Sequence, residues 1–163
     1  MALPQDSDFY GFSDAAFMNA EDCKSTLGYV FLAGNGAITW CSKRQTLQAQ
    51  SSTKAEYVAL LGAVQEASWL RNLYSELGLL NEDKPMLIQG DNEGSLAIAR
   101  NPKFHQRTKH IDLHWHLICN LIQDGVIAVE SCRNPEQTAD VLTKALLHLK
   151  HEQHTGEMGL VSI

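Results

Sequence analysis

Short β-prone runs fill the first part of the chain, and a helical spacing of apolar positions then takes over. Phe9-Tyr10-Gly11-Phe12-Ser13 is aromatic-rich and is followed by the polar Asn19-Ala20-Glu21-Asp22, which predicts a strand and then a turn. Thr26 to Leu32 and Ala37 to Cys41 are two further β-prone runs, and Gly34-Asn35-Gly36 between them offers the positive φ values of a tight hairpin. The opening therefore reads as an antiparallel three-strand unit. From Thr53 to Leu77, Ala55, Val58, Ala59, Ala63, Ala67, Leu70, Leu73 and Leu77 recur mostly at three- and four-residue steps, and Gly78 closes the segment. This is the longest predicted helix. After Pro85, Met86-Leu87-Ile88-Gln89 reads as a strand entering a turn at Gly90-Asp91. Glu93 to Arg100 then forms a short helix stopped before Asn101-Pro102. A helix from Thr108 to about Asp124, ending at Gly125, precedes a last strand from Val126 to Ser131. Asn134-Pro135 has the N-cap and Pro-at-N1 order that opens a final helix through Ala139, Leu142 and Leu146. The predicted order is βββ-α-β-α-α-β-α, an α/β domain.

Composition adds limits to that pattern. With 163 residues, 44% hydrophobic and 20% charged, the chain suits one core. No repeat or Gly/Ser linker divides it, and Pro4, Pro85, Pro102 and Pro135 fall at expected boundaries. The expected organisation is a flexible end at 1–8, one domain at 9–148 and a tail at 149–163. A net charge of −6 argues against charge-driven wrapping of nucleic acid, so any polyanion site must be local. The one concentration of positive charge runs from Arg100 to His110: Arg100, Lys103, Arg107 and Lys109 with His105 and His110. It reads either as phosphate contacts or as a solvated loop. Cys23, Cys41, Cys119 and Cys132 form no C-x-x-C pair, which favours reduced, buried thiols and a reducing compartment. No run approaches the roughly 18 apolar residues of a spanning helix, and the first residues lack signal-peptide character, so membrane and secreted readings are set aside. His110, His114 and His116 lack the acid or cysteine partners of a zinc site. Gly34-Asn35-Gly36 lacks the third glycine of a dinucleotide loop, so no small-molecule cofactor is expected.

Four acids stand at turning points of this layout: Asp14 ending the first strand, Glu56 in the first turn of the long helix, Asp91 ending the fourth strand, and Asp140 early in the final helix. Hydrolysis of a phosphodiester by two hard metal ions about 3.5 to 4 Å apart needs converging oxygen ligands, and acids at element ends can supply them. Each acid also has a structural alternative. Glu56 completes Thr53-Lys54-Ala55-Glu56, a formal capping box. Asp91 reads equally as a turn aspartate and Asp14 as the start of a loop. Asp140 complements a helix dipole. Taken singly, none is decided by its spacing.

The words around these acids are more specific. Gly11-Phe12-Ser13-Asp14-Ala15, Lys24-Ser25-Thr26-Leu27-Gly28-Tyr29-Val30-Phe31, Ser51-Ser52-Thr53-Lys54-Ala55-Glu56-Tyr57, Asp91-Asn92, Phe104-His105-Gln106-Arg107-Thr108-Lys109-His110-Ile111-Asp112 and Gln137-Thr138-Ala139-Asp140-Val141-Leu142-Thr143-Lys144 follow in order. From about Phe9 to Leu160 the chain resembles the ribonuclease H domain of Copia-type long-terminal-repeat retrotransposon Pol polyproteins. The resemblance implies the ribonuclease H-like fold, a mixed five-stranded sheet flanked by helices. It implies endonucleolytic hydrolysis of the RNA strand of RNA–DNA hybrids during reverse transcription, within a larger polyprotein whose polymerase domain is a partner. The family's catalytic, metal-binding acids fall on Asp14, Glu56, Asp91 and Asp140, with two Mg²⁺ ions as cofactor and Mn²⁺ as a substitute. Asp14 would bridge the ions, Glu56 and Asp91 flank one side, and Asp140 lie beside the ion of the attacking water. The second ion would stabilise the departing 3′ oxygen. The strip Arg100, Lys103, His105, Arg107, Lys109 and His110 would then contact nucleic acid. A cytoplasmic location is implied, in virus-like particles for a mobile element and nuclear for a domesticated copy.

Departures from the family pattern accompany the match. Ser13-Asp14-Ala15-Ala16-Phe17 lacks the second acid and the tryptophan that relatives usually carry there. Cys23 replaces a usual arginine, Lys54 a usual glutamate, and His114 and Cys119 stand where arginines are common. The alternative function is a catalytically weak or domesticated domain that binds nucleic acid or protein. A DNA strand-transferase of the same architecture fits the words from Ser51 to Tyr57 and from Gln137 to Lys144 less well.

Overall fold

The computed structural model describes residues 9–19, 22–46, 48–79, 84–101 and 112–160. Five strands form one sheet: β1 (Tyr10–Ala16), β2 (Thr26–Ala33), β3 (Gly36–Arg44), β4 (Met86–Gly90) and β5 (Ile127–Ser131), in the order β3-β2-β1-β4-β5. β1 pairs antiparallel with β2, and β2 with β3, as the opening pattern predicts. The turn between β2 and β3 is Gly34-Asn35, with φ of 55° and 76°. Two successive positive φ values are the signature of a type I′ hairpin turn, whose twist matches the strands it joins. β4 pairs parallel with β1 and β5 parallel with β4, giving the expected mixed sheet.

Helices cover both faces. α1 (Ser52–Glu76), α2 (Glu93–Arg100) and α3 (Asp112–Gln123) pack on one side, with α4 (Asp140–Thr143) and α5 (His148–Glu157) following β5. Ala55, Ala59, Ala63 and Ala67 of α1 are fully buried at four-residue steps. Such small side chains let a helix lie close to a sheet while Leu60, Val64 and Leu70 fill the space beside them. Phe31, Ile88, Leu96, Ile118 and Ile127 complete this core. A smaller cluster of Phe12, Val30, Leu32, Ala139 and Met158 gathers where the segment around α4 meets β1 and β2. Alternate residues of β2 thus serve the two faces, Phe31 the larger core and Val30 and Leu32 the smaller one. α1 closes with a pair of bonds from Gly78 N–H to the Ser75 carbonyl and from Leu79 N–H to the Tyr74 carbonyl, and Gly78 takes the positive φ of 67° this cap needs.

Gly28 makes the closest approach between α4 and the sheet. A Cβ there would lie 2.7 Å from Thr143 Cγ2 and 2.9 Å from Leu142 Cβ, so α4 can seat on β2 only because this position has no side chain. Gly28→Ala should cost about 1–3 kcal/mol, the usual range for overpacking, read as a lowered urea midpoint at unchanged slope.

Several expectations need correction. Asp14 lies inside β1, which runs on to Ala16, rather than at the strand's end. The N-cap of α1 is Ser51, whose hydroxyl accepts from the Lys54 N–H; the box placed on Thr53 and Glu56 does not form, because the helix begins two residues earlier. The final helix expected from Asn134 is a 3-10 turn at Asn134–Glu136 followed by the short α4. The expected tail at 149–163 holds most of α5, which is anchored by the buried His154 and by Ala37 N–H donating to the Met158 carbonyl at 2.9 Å. Of the four thiols, all free, only Cys119 is buried; Cys23 is exposed, and Cys41 and Cys132 are half-buried. Among the described residues no helix is long and apolar enough to cross a membrane.

Candidate metal centre

The parallel pairing of β1 with β4 puts the carboxyl ends of both strands at one edge of the sheet, the place where open α/β sheets bind ligands. Phe12 stands opposite Gln89, so the same register two residues further on brings Asp14 level with Asp91. Asp91 follows β4 directly, and the next residue, Asn92, caps α2 by accepting from the Ser95 N–H at 2.9 Å. The capping duty of this turn therefore belongs to Asn92 and leaves the Asp91 side chain available. Asp140 arrives after β5 as the first residue of α4, on a segment tied to β1 where Gln137 Nε2 donates to the Ser13 carbonyl at 3.0 Å. One carboxylate oxygen from each of Asp14, Asp91 and Asp140 lies within 4.8 Å of the other two. Glu56 lies nearby on α1, close enough for the charges of Asp14 and Asp91 to act on its carboxyl.

Such a cluster is electrostatically costly by itself. Asp14 and Asp140 are buried to 1% and 0% exposure and Glu56 to 8%, so water cannot spread their charge. Burial, followed by the charges of Asp14 and Asp91, pushes the Glu56 carboxyl up to about 8. Asp14 is also raised, first by burial and further by Asp140 and Asp91, against the hydrogen bond from Thr143 and the charge of Lys144. Three side chains offset the repulsion. The Thr143 hydroxyl donates to Asp14 Oδ2. Lys144 Nζ lies 2.8 Å from Asp140 Oδ1 and 3.7 Å from Asp14 Oδ2. Lys150 Nζ lies 2.7 Å from Asp140 Oδ2. Burial works against the Lys144 charge, but the Asp140 carboxylate 2.8 Å away and the other acids outweigh it and raise the ammonium's pKa.

Of the four acids singled out in the sequence, Asp14, Asp91 and Asp140 thus meet at one edge, with Glu56 near enough to feel two of them. Thr143, Lys144 and Lys150 are additions. Lys144 was readable as the i, i+4 partner of Asp140, whereas Lys150 belongs to α5 and was hidden in the supposed tail. Of the basic strip, Arg100 donates through Nε and Nη2 to the Val129 carbonyl at 3.2 and 2.5 Å, which ties α2 to β5. Lys103, His105, Arg107, Lys109 and His110 lie outside the described residues. As a donor set, hard carboxylate oxygens gathered on one buried edge suit Mg²⁺ or Mn²⁺ better than the softer transition metals.

Comparison with known proteins bears on the same residues. A family described as reverse transcriptase-like matches residues 12–78. Over 155 residues the chain is 35% identical to the retrovirus-related Pol polyprotein from transposon RE2 of Arabidopsis thaliana, covering 94% of this chain and 11% of that protein. It is 36% identical over 143 residues to the Pol polyprotein from transposon TNT 1-94 of Nicotiana tabacum, covering 87% of this chain and 11% of that protein. The chain spans about a tenth of the length of these relatives. Among solved structures, the ribonuclease H1 LC11 from compost aligns with a TM-score of 0.61 at 12% identity, over 85% of this chain and 94% of that one. Its complex with an RNA/DNA hybrid aligns with a TM-score of 0.55 at 15% identity, over 83% and 93%. At these identities the likeness is one of fold.

Proposed function

Because this chain belongs to the ribonuclease H domains of Copia-type retrovirus-related Pol polyproteins, we propose that it hydrolyses the RNA strand of RNA–DNA hybrids with divalent metal ions held by Asp14, Glu56, Asp91 and Asp140. The observation that carries the reading is the convergence of Asp14, Asp91 and Asp140 within 4.8 Å at the carboxyl ends of β1 and β4. When bound, such ions supply Lewis-acid charge that activates a water and stabilises the departing 3′ oxygen. The chain's own part is to fix the donors beforehand. Thr143 orients one oxygen of Asp14, and Gln137 holds the backbone of β1 against the segment bearing Asp140. A donor set oriented in advance loses little freedom when substrate and cation arrive. In a protein of net charge −6, affinity for the hybrid must come from local cations. Lys103, His105, Arg107, Lys109 and His110 are the proposed phosphate contacts, and the polymerase part of the parent polyprotein the proposed second grip.

The test is the purified chain on a labelled hybrid beside single-stranded RNA and duplex DNA. Cleavage of the RNA in the hybrid alone, supported by Mg²⁺ or Mn²⁺ and not by Ca²⁺, is expected, since Ca²⁺ accepts looser geometry that misplaces the attacking water. Full activity after exhaustive chelation would remove the metal from the reading. Binding of hybrid without cleavage in either cation would point instead to a domesticated binding module.

A further inference from the structure

Asp140 is the most enclosed of the acids, at 0% exposure, and each of its oxygens meets a different lysine. Lys144 reaches Oδ1 from the residue just after α4, and Lys150 reaches Oδ2 from the first turn of α5. Lys144 also faces Asp14. The two ammonium groups bring two positive charges to the Asp140 and Asp14 carboxylates, the same charge that one divalent ion would bring to their oxygens. Both cannot hold those oxygens at once: an ammonium sits at 2.7–2.8 Å from Asp140, whereas Mg²⁺ needs its ligands at about 2.0–2.1 Å and would stand against like charge. The lysine side chains are 39% and 32% exposed, so their heads have a route to solvent. α5 does not depend on Lys150 for its seat. His154 Nδ1 and Thr138 Oγ1 both meet Glu157 Oε2, at 2.8 and 2.7 Å, and the Met158 carbonyl accepts from Ala37.

We propose that Lys144 and Lys150 are resident counter-ions of the metal-free site, which hold the acids together until a divalent ion displaces both heads from Asp140. They are positioning residues that set how tightly the metal binds. This rests on the metal-site reading above, and the test separates the two.

The experiment is calorimetric titration of the whole chain with Mn²⁺ alone, together with thermal melting in chelator. Lys150→Met and Lys144→Met should each bind Mn²⁺ about tenfold tighter than wild type, because one like charge has left the site. Each should also melt at a lower temperature in chelator, because carboxylate repulsion is no longer offset. Lys150→Arg, which keeps the charge, and Lys43→Met, which removes an exposed one on β3, should stay within about twofold of wild type. Mn²⁺ affinity unchanged or weakened in both methionine variants, with wild type binding normally, overturns the counter-ion proposal and leaves the metal site standing. Binding by Asp14→Asn equal to wild type, or no binding by any variant, overturns the metal site and the proposal with it. Should Lys150→Met fail to fold, Lys144→Met and Lys150→Arg still decide.

Discussion

Asn in place of Asp14 is expected to reduce hydrolysis of an RNA–DNA hybrid by about a hundred- to a thousandfold, the scale of loss when a preorganised group aimed at transition-state charge is removed. Asp14 lies within 4.8 Å of both Asp91 and Asp140 and is fixed by the Thr143 hydroxyl, a place no other acid occupies. The fold should survive the change. Asn keeps an oxygen that accepts from the Thr143 hydroxyl, and it removes a charge that burial and the other carboxylates oppose. The melting temperature in chelator should therefore hold or rise while the single-turnover rate collapses. Asp91→Asn should lose activity to a similar degree. A rate for Asp14→Asn within tenfold of wild type would take Asp14 out of the chemistry.

The second large effect is on stability and is confined to the metal-free protein. Burial first, then Asp14 and Asp91, raise Glu56 to about 8 from an ordinary value of 4.5. The folded state therefore binds this proton more tightly than the unfolded chain does. Its stabilising contribution is fully present below pH 4.5 and is lost as the pH rises towards 8. Asp14, also raised, acts in the same direction. Glu157, lowered by His154, Gln153 and Thr138 against the effect of burial, acts the other way, and only as the pH falls below its ordinary 4.5, outside this window. The informative quantity is the difference between wild type and Glu56→Gln, in which contributions common to both proteins cancel. In chelator at pH 8, Glu56→Gln should be more stable than wild type by about 2–4 kcal/mol, and the gap should close near pH 5. Mg²⁺ should narrow the gap at pH 8 by stabilising wild type more than the variant. Parallel pH profiles for the two proteins in chelator would show that Glu56 carries no such strain.

The strands and the long helix were legible because their signals are local. The type I′ turn is written in Gly34-Asn35, and the seam of Ala55, Ala59, Ala63 and Ala67 repeats at helical spacing. The four acids were legible as a set only through the words that surround them, since each alone has an everyday structural use. What the pattern could not show was set by tertiary contact. Ser51, Ser52 and Thr53 are all acceptable caps, and the structure uses the first, whose hydroxyl accepts from the Lys54 N–H. α5 carries no apolar stripe: Leu149 is 80% exposed, and the one buried side chain in the helix is His154, which belongs on polar grounds to a solvated face. Its helicity follows from docking rather than periodicity, and Lys150 went unseen with it.

The bonds that complete the site join the two ends of the sequence. Thr143 meets Asp14 across 129 positions, and Gln137 meets Ser13 across 124. During synthesis β1, β2, β3 and α1 all leave the ribosome before Asp140 and its two lysines. At about 5–20 residues per second, the interval between the first acid and the last is on the order of ten seconds. Over that interval the nascent chain holds Asp14, Glu56 and then Asp91 without Asp140, so the acidic edge stays incomplete until α4 has been made.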